Sequence, residues 1–287
     1  YWHLFQPSMR NVVAESVGAF VIFCLLSGVV YIVNDLVDVE KDRAHPRKRL
    51  RPIASGRLSR GPAITAAFVV LAIAVVSSIL LDQLSASLPY PTGAPVFPFA
   101  FPFTLVAITY LILQIAYSFL LKNIVIIDVF AIAAGFLLRA VAGGVVIQVP
   151  ISPWLYVVTV LLALFIGFGK RRSELLLLEG AAANHRAILR DYTADLLDQI
   201  LSITAASTVI AYSLYTFSAE NLPRNHAMML TIPFALYGIF RYLYLIHVKN
   251  EGGSPEEILV RDRPFLAAAV IWAITVALIL YFFARSP

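Results

Sequence analysis

The sequence predicts an all-α membrane protein from its composition, its long apolar runs and the alternating charge of its connections. Of 287 residues, 60% are hydrophobic and 14% are charged, whereas a soluble domain has roughly 25% charged and 45–50% apolar residues. This much apolar surface cannot be hidden inside one water-facing globule, so the bilayer is predicted to be its solvent. Because no long polar stretch interrupts the chain, we expect one integral membrane domain over residues 1–287.

Eight apolar runs account for most of the chain. They cover 11–34, 62–82, 100–121, 124–147, 153–169, 195–217, 226–247 and 264–284. At a rise of 1.5 Å per residue, about 20 residues cross the hydrocarbon core. We predict that every run is a helix, because backbone exposed to lipid must satisfy its own hydrogen bonds.

Basic residues are concentrated in every second connection. Eight Lys and Arg residues lie in 34–61, five in 170–194 and three in 248–263. The alternate connections hold at most one each, and they are 83–99, 148–152 and 218–225. Because basic loops mark the cytoplasmic side, the three charged connections are predicted to face the cytoplasm. The net charge of +5 then reflects topology, and no nucleic-acid partner is expected.

An acidic cluster ends the first apolar run, in the order Asn34, Asp35, Asp38, Asp42. Offsets of three, four and seven residues place the three carboxylates on one helix face. Carboxylates this close repel one another unless a cation lies between them, and oxygen ligands of this kind suit Mg²⁺. We therefore predict that Asp35, Asp38 and Asp42 are catalytic metal ligands. The alternative is a solvated helix end with incidental acids.

A basic segment follows the acidic cluster directly. Its candidate phosphate-binding residues are Arg47, Lys48, Arg49 and Arg51. Guanidinium and ammonium donors beside metal ligands form a suitable site for a Mg²⁺–diphosphate. This juxtaposition favours a functional site over the solvated helix end.

The run NDLVDVEKD, followed by RAHPRKRLRPIASGRLS, resembles the first signature of the UbiA superfamily of intramembrane transferases. The resemblance implies a bundle of nine helices that binds a Mg²⁺–diphosphate through Asn34 and the three aspartates, in a cavity near the cytoplasmic face. With eight runs visible, we expect the first of the nine helices to be missing from this numbering.

Prenyl-transferring members of that superfamily carry a second aspartate-rich motif after the sixth helix. The corresponding stretch here is GFGKRRSEL, over residues 167–175, and it is basic. Lys170 and Glu174 lie one turn apart and can share a face, so we predict an anion site that also includes Arg171. The alternative is a set of membrane anchors, and we interpret Arg172 in that way.

The basic stretch and two later segments, ILRDYTADLLDQ and GSPEEILVRDRPF, resemble a subfamily, the decaprenyl-phosphate phosphoribosyltransferases. The resemblance implies a pentosyltransferase that moves 5-phosphoribosyl from phosphoribosyl diphosphate (PRPP) to a polyprenyl phosphate of decaprenyl type and releases diphosphate. It also implies Mg²⁺ dependence and a bacterial inner membrane, with the active site facing the cytoplasm. In actinobacteria such a product feeds cell-wall biogenesis.

Three further residues are candidate substrate ligands. Tyr117 and Lys122 match the superfamily's YxxxxK region, with an interface anchor as the alternative. Arg139 lies within an apolar run, where a charge costs about 2.5–3.5 kcal/mol and normally faces a cavity or a partner. It is predicted either to contact a substrate phosphate or to pair with Asp128.

Two other functions stay open at this point. One is a prenyltransferase that moves an isoprenoid from a prenyl diphosphate to an aromatic or lipid acceptor. The other is a transporter or channel in which acidic and basic residues form a permeation site. The sequence leaves the length of the lipid acceptor and the oligomeric state open.

Overall fold

The computed structural model describes residues 7–44, 48–87, 102–147, 151–179, 189, 191–219, 222–223, 225–249 and 251–283. Within these ranges every regular element is helical. The chain divides into two compact units, an N-terminal unit of residues 2–151 and a C-terminal unit of residues 152–287. The prediction of one integral domain over the whole chain stays a prediction.

In its described residues, the N-terminal unit contains five α-helices, joined in part by 3₁₀ turns. They are α1 (Pro7–Val37), α2 (Val39–Ala44), α3 (Arg60–Ser87), α4 (Phe103–Phe119) and α5 (Ile127–Val146), with turns at Lys48–Leu50 and Leu121–Asn123. Helix α1 packs against α3, α4 and α5. The rings of Phe23 and Phe103 meet edge-on at 5.8 Å, and Tyr110 fills the space beside Phe23. This aromatic cluster fixes the spacing of α1 and α4.

The C-terminal unit also contains five helices. They are α6 (Pro153–Glu179), α7 (Ala194–Ser218), α8 (Ile232–Val248), α9 (Pro255–Arg261) and α10 (Arg263–Phe283), with a 3₁₀ turn at Ala227–Thr231. A buried polar chain connects its elements, since Trp272 Nε1 donates to the Tyr212 hydroxyl at 2.7 Å. The Thr231 hydroxyl donates to the carbonyl of Met228, so Tyr212 donates in turn to Thr231 at 2.6 Å.

The predicted apolar runs coincide with the long helices, which confirms the all-α membrane fold. In the described ranges, seven helices are long and apolar enough to cross a bilayer, and the 17-residue α4 is a shorter apolar helix. Many large apolar side chains point outward, among them Phe20 at 70% and Phe68 at 67% exposure. Such an apolar exterior is suited to lipid, so the chain is a multi-pass membrane protein.

Pro102 is the N-cap residue that precedes α4, and it offers no side-chain cap. Instead, Asp82 of α3 accepts the backbone N–H groups of Phe103 at 2.7 Å and Thr104 at 2.9 Å. The carboxylate therefore satisfies two of the amide groups that a helix N-terminus leaves without intrahelical partners.

We expect Asp82→Ala to lower the free energy of unfolding by about 1 kcal/mol, the usual effect of losing a helix cap. Thermal unfolding in detergent would measure the loss. Asp82→Asn is the matched control, because its amide oxygen can still accept an N–H and should preserve part of the stability. Equal losses in the two variants would contradict a capping role.

Candidate active site at the acidic helix end

The three aspartates keep the helical register that the sequence predicts. Asp38 is the single residue between α1 and α2, yet its N–H donates to the Asn34 carbonyl at 2.9 Å. The N–H of Asp42 donates to the Asp38 carbonyl at 2.8 Å. Helical hydrogen bonds thus continue through Asp38, between the end of α1 and the start of α2, and keep the carboxylates on one face.

Arg51 bridges two of the carboxylates. Its Nη1 atom lies 2.8 Å from Asp35 Oδ1 and 2.8 Å from Asp42 Oδ2. The Asp42 side chain is 4% exposed, so its charge needs a partner inside the protein. One guanidinium nitrogen therefore partly neutralises the charges of both carboxylates.

A short loop delivers Arg51 to the cluster. The N–H of Arg51 donates to the Lys48 carbonyl at 2.9 Å, which closes the 3₁₀ turn. Gly56 has a φ of 77°, a left-handed conformation that suits glycine, and it allows the loop to turn back. Ile53 is buried with Val39 and Ala63, and this small apolar cluster holds the loop on α2 and α3.

Lys122 neutralises the third carboxylate from the turn between α4 and α5. Its Nζ atom lies 2.9 and 2.8 Å from the two oxygens of Asp38 and 3.5 Å from Asn34 Oδ1. The Lys122 side chain is only 6% exposed. Ile126, which precedes α5, has a φ of 69°, a strained conformation for a β-branched residue that marks this connection as tightly constrained.

The carboxylate oxygens of this cluster are ligands of the kind that fits a Mg²⁺ ion. Within the described ranges, no three acidic, His or Cys side chains lie close enough together to hold a metal ion between them. Asp35 and Asp42 direct one oxygen each at a single cationic atom of Arg51. A cation placed at that point would have two carboxylate ligands, and Mg²⁺ commonly uses one or two carboxylates together with substrate phosphates.

The other residues predicted for this region differ in their exposure and in whether they interact with the aspartates. Lys48 is exposed on the 3₁₀ turn, and its charge acts on Asp35. Arg49 is exposed on the same turn, and its side chain is bonded to none of the aspartates. Tyr117 is half-buried near the end of α4. Arg47 lies outside the described residues.

Arg139 is bonded to hydroxyl groups, and the predicted pair with Asp128 is not formed. Its Nη2 atom donates to the Tyr110 hydroxyl at 2.6 Å and to Ser27 Oγ at 3.2 Å. The guanidinium also lies over the rings of Tyr110 and Phe136, at 5.2 and 5.7 Å. These contacts join α5 to α4 and α1. A contact of Arg139 with a substrate phosphate stays a prediction.

In the C-terminal unit, the basic end of α6 is partly paired within the same helix. Arg171 Nη1 donates to Glu174 Oε2 at 2.6 Å, and the Arg171 side chain is 3% exposed. Glu174 therefore bonds to the residue three positions before it. The predicted anion site of Lys170, Arg171 and Glu174 stays a prediction. Lys170 is half-buried on this helix.

Arg172 was interpreted as a membrane anchor, and that interpretation is wrong. It is 9% exposed and forms an ion pair through Nε with Asp198 of α7. His247 of α8 lies 3.1 Å from the same carboxylate. This three-helix pairing was missed because Asp198 and His247 are 26 and 75 residues from Arg172, and neither position carries a local motif.

The sequence profile of the UbiA prenyltransferase family matches residues 6–256, which is most of the chain. The chain belongs to the UbiA prenyltransferase family. Its acidic helix end lies within the matched residues.

Curated relatives and solved structures agree with this assignment. Decaprenyl-phosphate phosphoribosyltransferase of Mycolicibacterium smegmatis is 35% identical over 95% of this chain and 82% of its own length. The protein of that name from Corynebacterium glutamicum is 33% identical, over 92% and 75%. A UbiA homologue from Archaeoglobus fulgidus, solved with GPP and Mg²⁺, has a TM-score of 0.68 at 19% identity and covers 92% of this chain and 87% of that one. This structure supports the fold.

Another ion pair in this UbiA-family chain lies at the start of α10. Arg241 donates to both oxygens of Asp262, at 3.0 and 2.8 Å, and Asp262 Oδ1 also accepts the N–H of Phe265 at 2.8 Å. The hydrogen bond from Arg241 holds the pKa of Asp262 below its usual range. Asp262 therefore joins α8 to α10 and caps α10.

Because the pKa of Asp262 is lowered in the folded state, its ionised form stabilises the fold above the ordinary aspartate pKa of about 3.9. That stabilisation is lost as pH falls through the lowered pKa. We expect wild type to have a higher unfolding midpoint than Asp262→Asn by a constant amount between about pH 5 and 8. The difference should shrink below about pH 4, and a difference that grew on acidification would contradict this linkage.

Proposed function

We propose that this chain transfers 5-phosphoribosyl from PRPP to a polyprenyl phosphate of decaprenyl type and releases diphosphate. The proposed location is a bacterial inner membrane, with the active site on the cytoplasmic side. The observation that carries the proposal is the similarity, at 33–35% identity over nearly the whole chain, to proteins named decaprenyl-phosphate phosphoribosyltransferase. On this proposal the chain is a pentosyltransferase.

The acidic cluster supplies the proposed diphosphate end of the site. Asp35, Asp38 and Asp42 would hold Mg²⁺, which when bound screens the charge of the departing diphosphate. Arg51 and Lys122 are the basic side chains within hydrogen-bond distance of these carboxylates. We expect them to bind diphosphate oxygens, because a guanidinium and an ammonium group each offer several N–H donors and a positive charge.

The proposed reaction forms a bond between an acceptor phosphate oxygen and C1 of the ribose, while the bond from C1 to the diphosphate breaks. The acceptor oxygen is already ionised at neutral pH, so the protein needs no strong general base. Its contribution would be to position two anionic substrates and to stabilise the charge that develops at C1 and on the leaving group. Attack opposite the leaving group inverts C1.

The basic end of α6 supports PRPP as the donor. Residues 167–175 hold Lys170, Arg171 and Arg172 and a single acid, Glu174, where prenyl-transferring members would carry aspartates. PRPP brings a 5-phosphate besides its diphosphate, and the acceptor brings another phosphate. A basic segment suits this excess of anions better than a second metal site would. Lys170 remains a proposed phosphate ligand.

The deciding experiment supplies Mg²⁺, PRPP and decaprenyl phosphate to purified protein and detects a phosphoribosyl lipid by mass spectrometry. A parallel reaction replaces PRPP by a prenyl diphosphate with an aromatic acceptor. Formation of phosphoribosyl lipid supports the proposal. Product only in the parallel reaction would favour the prenyltransferase, and turnover in neither would favour transport.

Two variants test the site residues in the same assay. Asp38→Ala should abolish turnover, because it removes a carboxylate and leaves the buried Lys122 without its main partner. Lys170→Ala should raise KM by about tenfold to a hundredfold, the range expected for one hydrogen bond to a charged group. Wild-type rates in both variants would overturn the site assignment.

A further inference from the structure

The positions at which a metal would meet the acidic cluster are occupied by side chains of the protein itself. Arg51 Nη1 lies 2.8 Å from one oxygen of Asp35 and 2.8 Å from one of Asp42. Lys122 Nζ lies within 2.9 Å of both oxygens of Asp38. The three carboxylates are thus largely neutralised by the protein's own side chains.

A free divalent ion would have to compete with this arrangement. An ion that binds Asp35 Oδ1 and Asp42 Oδ2 together must occupy the place of the Arg51 nitrogen, because both oxygens are directed at that atom. An ion and a guanidinium cannot share the point, since like charges at such a distance repel strongly where solvent screening is weak. Arg51 must therefore move before the metal binds.

The two cations differ in how easily they can move. The Lys122 side chain is 6% exposed, and it is fixed in a tight turn. The Arg51 side chain is 35% exposed and lies on a surface loop between α2 and α3. A diphosphate offers the planar guanidinium of Arg51 a pair of phosphate oxygens that it can bind through two parallel N–H donors, so it can draw Arg51 away from the acids.

We propose that Arg51 is an internal counter-ion that keeps free Mg²⁺ off Asp35 and Asp42, and that the metal enters together with a diphosphate. On arrival, the diphosphate takes Arg51 and the metal takes the two carboxylates. The inference rests on the proposed function only in taking PRPP as the natural source of that diphosphate.

The exchange predicts that loss of the Arg51 guanidinium strengthens metal binding and weakens anion binding. With Mn²⁺ as the probe, loss of the free-ion EPR signal on adding protein reports binding in the absence of any phosphate compound. We expect Arg51→Gln to bind Mn²⁺ at least about tenfold more tightly than wild type. Inorganic diphosphate should bind at least about tenfold more weakly to Arg51→Gln, measured by calorimetry with Mn²⁺ present and with a protein-free titration subtracted.

Arg60→Gln is the matched control. Arg60 belongs to the same unit and is 63% exposed, and its partner is Glu40 at 3.4 Å, which is not a member of the acidic cluster. Removing this charge changes the net charge of the protein by the same amount. It should leave Mn²⁺ affinity within about twofold of wild type.

Thermal unfolding shows whether the Arg51→Gln variant is folded. Without divalent ions, Arg51→Gln should unfold at a lower temperature than wild type, because Asp35 and Asp42 then repel each other. Added Mg²⁺ should raise its midpoint more than it raises that of wild type, since at a given concentration a ligand with a lower Kd stabilises the folded state more. Arg51→Lys, which retains the charge, should lie between the two.

Equal Mn²⁺ affinity in wild type and Arg51→Gln would overturn the proposal, and so would a parallel loss of metal and diphosphate binding. Neither result depends on which substrate donates the diphosphate. If the lipid product failed to appear while the Mn²⁺ difference persisted, the proposed function would fail and the counter-ion exchange would stand.

Discussion

The repulsion among Asp35, Asp38 and Asp42 is the constraint on which the N-terminal unit depends. Helical hydrogen bonds through Asp38 fix all three on one face at the end of a membrane-spanning helix. Asp42 is almost fully buried, and a buried charge without a partner is strongly destabilising. The structure meets this requirement with two cations from different connections, and each connection is shaped to deliver one of them.

The local backbone follows from that requirement. The loop that carries Arg51 closes through Gly56 in a left-handed conformation and is held down by the buried Ile53. The turn that carries Lys122 is followed by Ile126 with an unfavourable positive φ. Strain at such a position persists only when surrounding contacts enforce it, and the Lys122–Asp38 ion pair lies in the same connection.

Sequence patterns predicted the helices and the acidic face because both depend on local spacing. Apolar runs of membrane length and offsets of three, four and seven residues can be read without knowing any tertiary contact. The partners of each charge could not be read in the same way. Arg172 resembles a surface anchor in the sequence, yet in the structure it is buried and forms an ion pair with Asp198. Arg139 has Asp128 on a compatible face, yet it bonds to Tyr110 and Ser27 from two other helices.

Arg139 and Arg51 are held by different kinds of group, and this difference determines whether another cation must replace the guanidinium when it binds an anion. Arg139 is held by neutral hydroxyl groups and aromatic faces, so no released carboxylate would have to be neutralised if it bound an anion. Arg51 is held by two carboxylates, so it can leave only when another cation replaces it. That replacement couples anion binding to metal binding at Arg51, and the same coupling is not expected at Arg139.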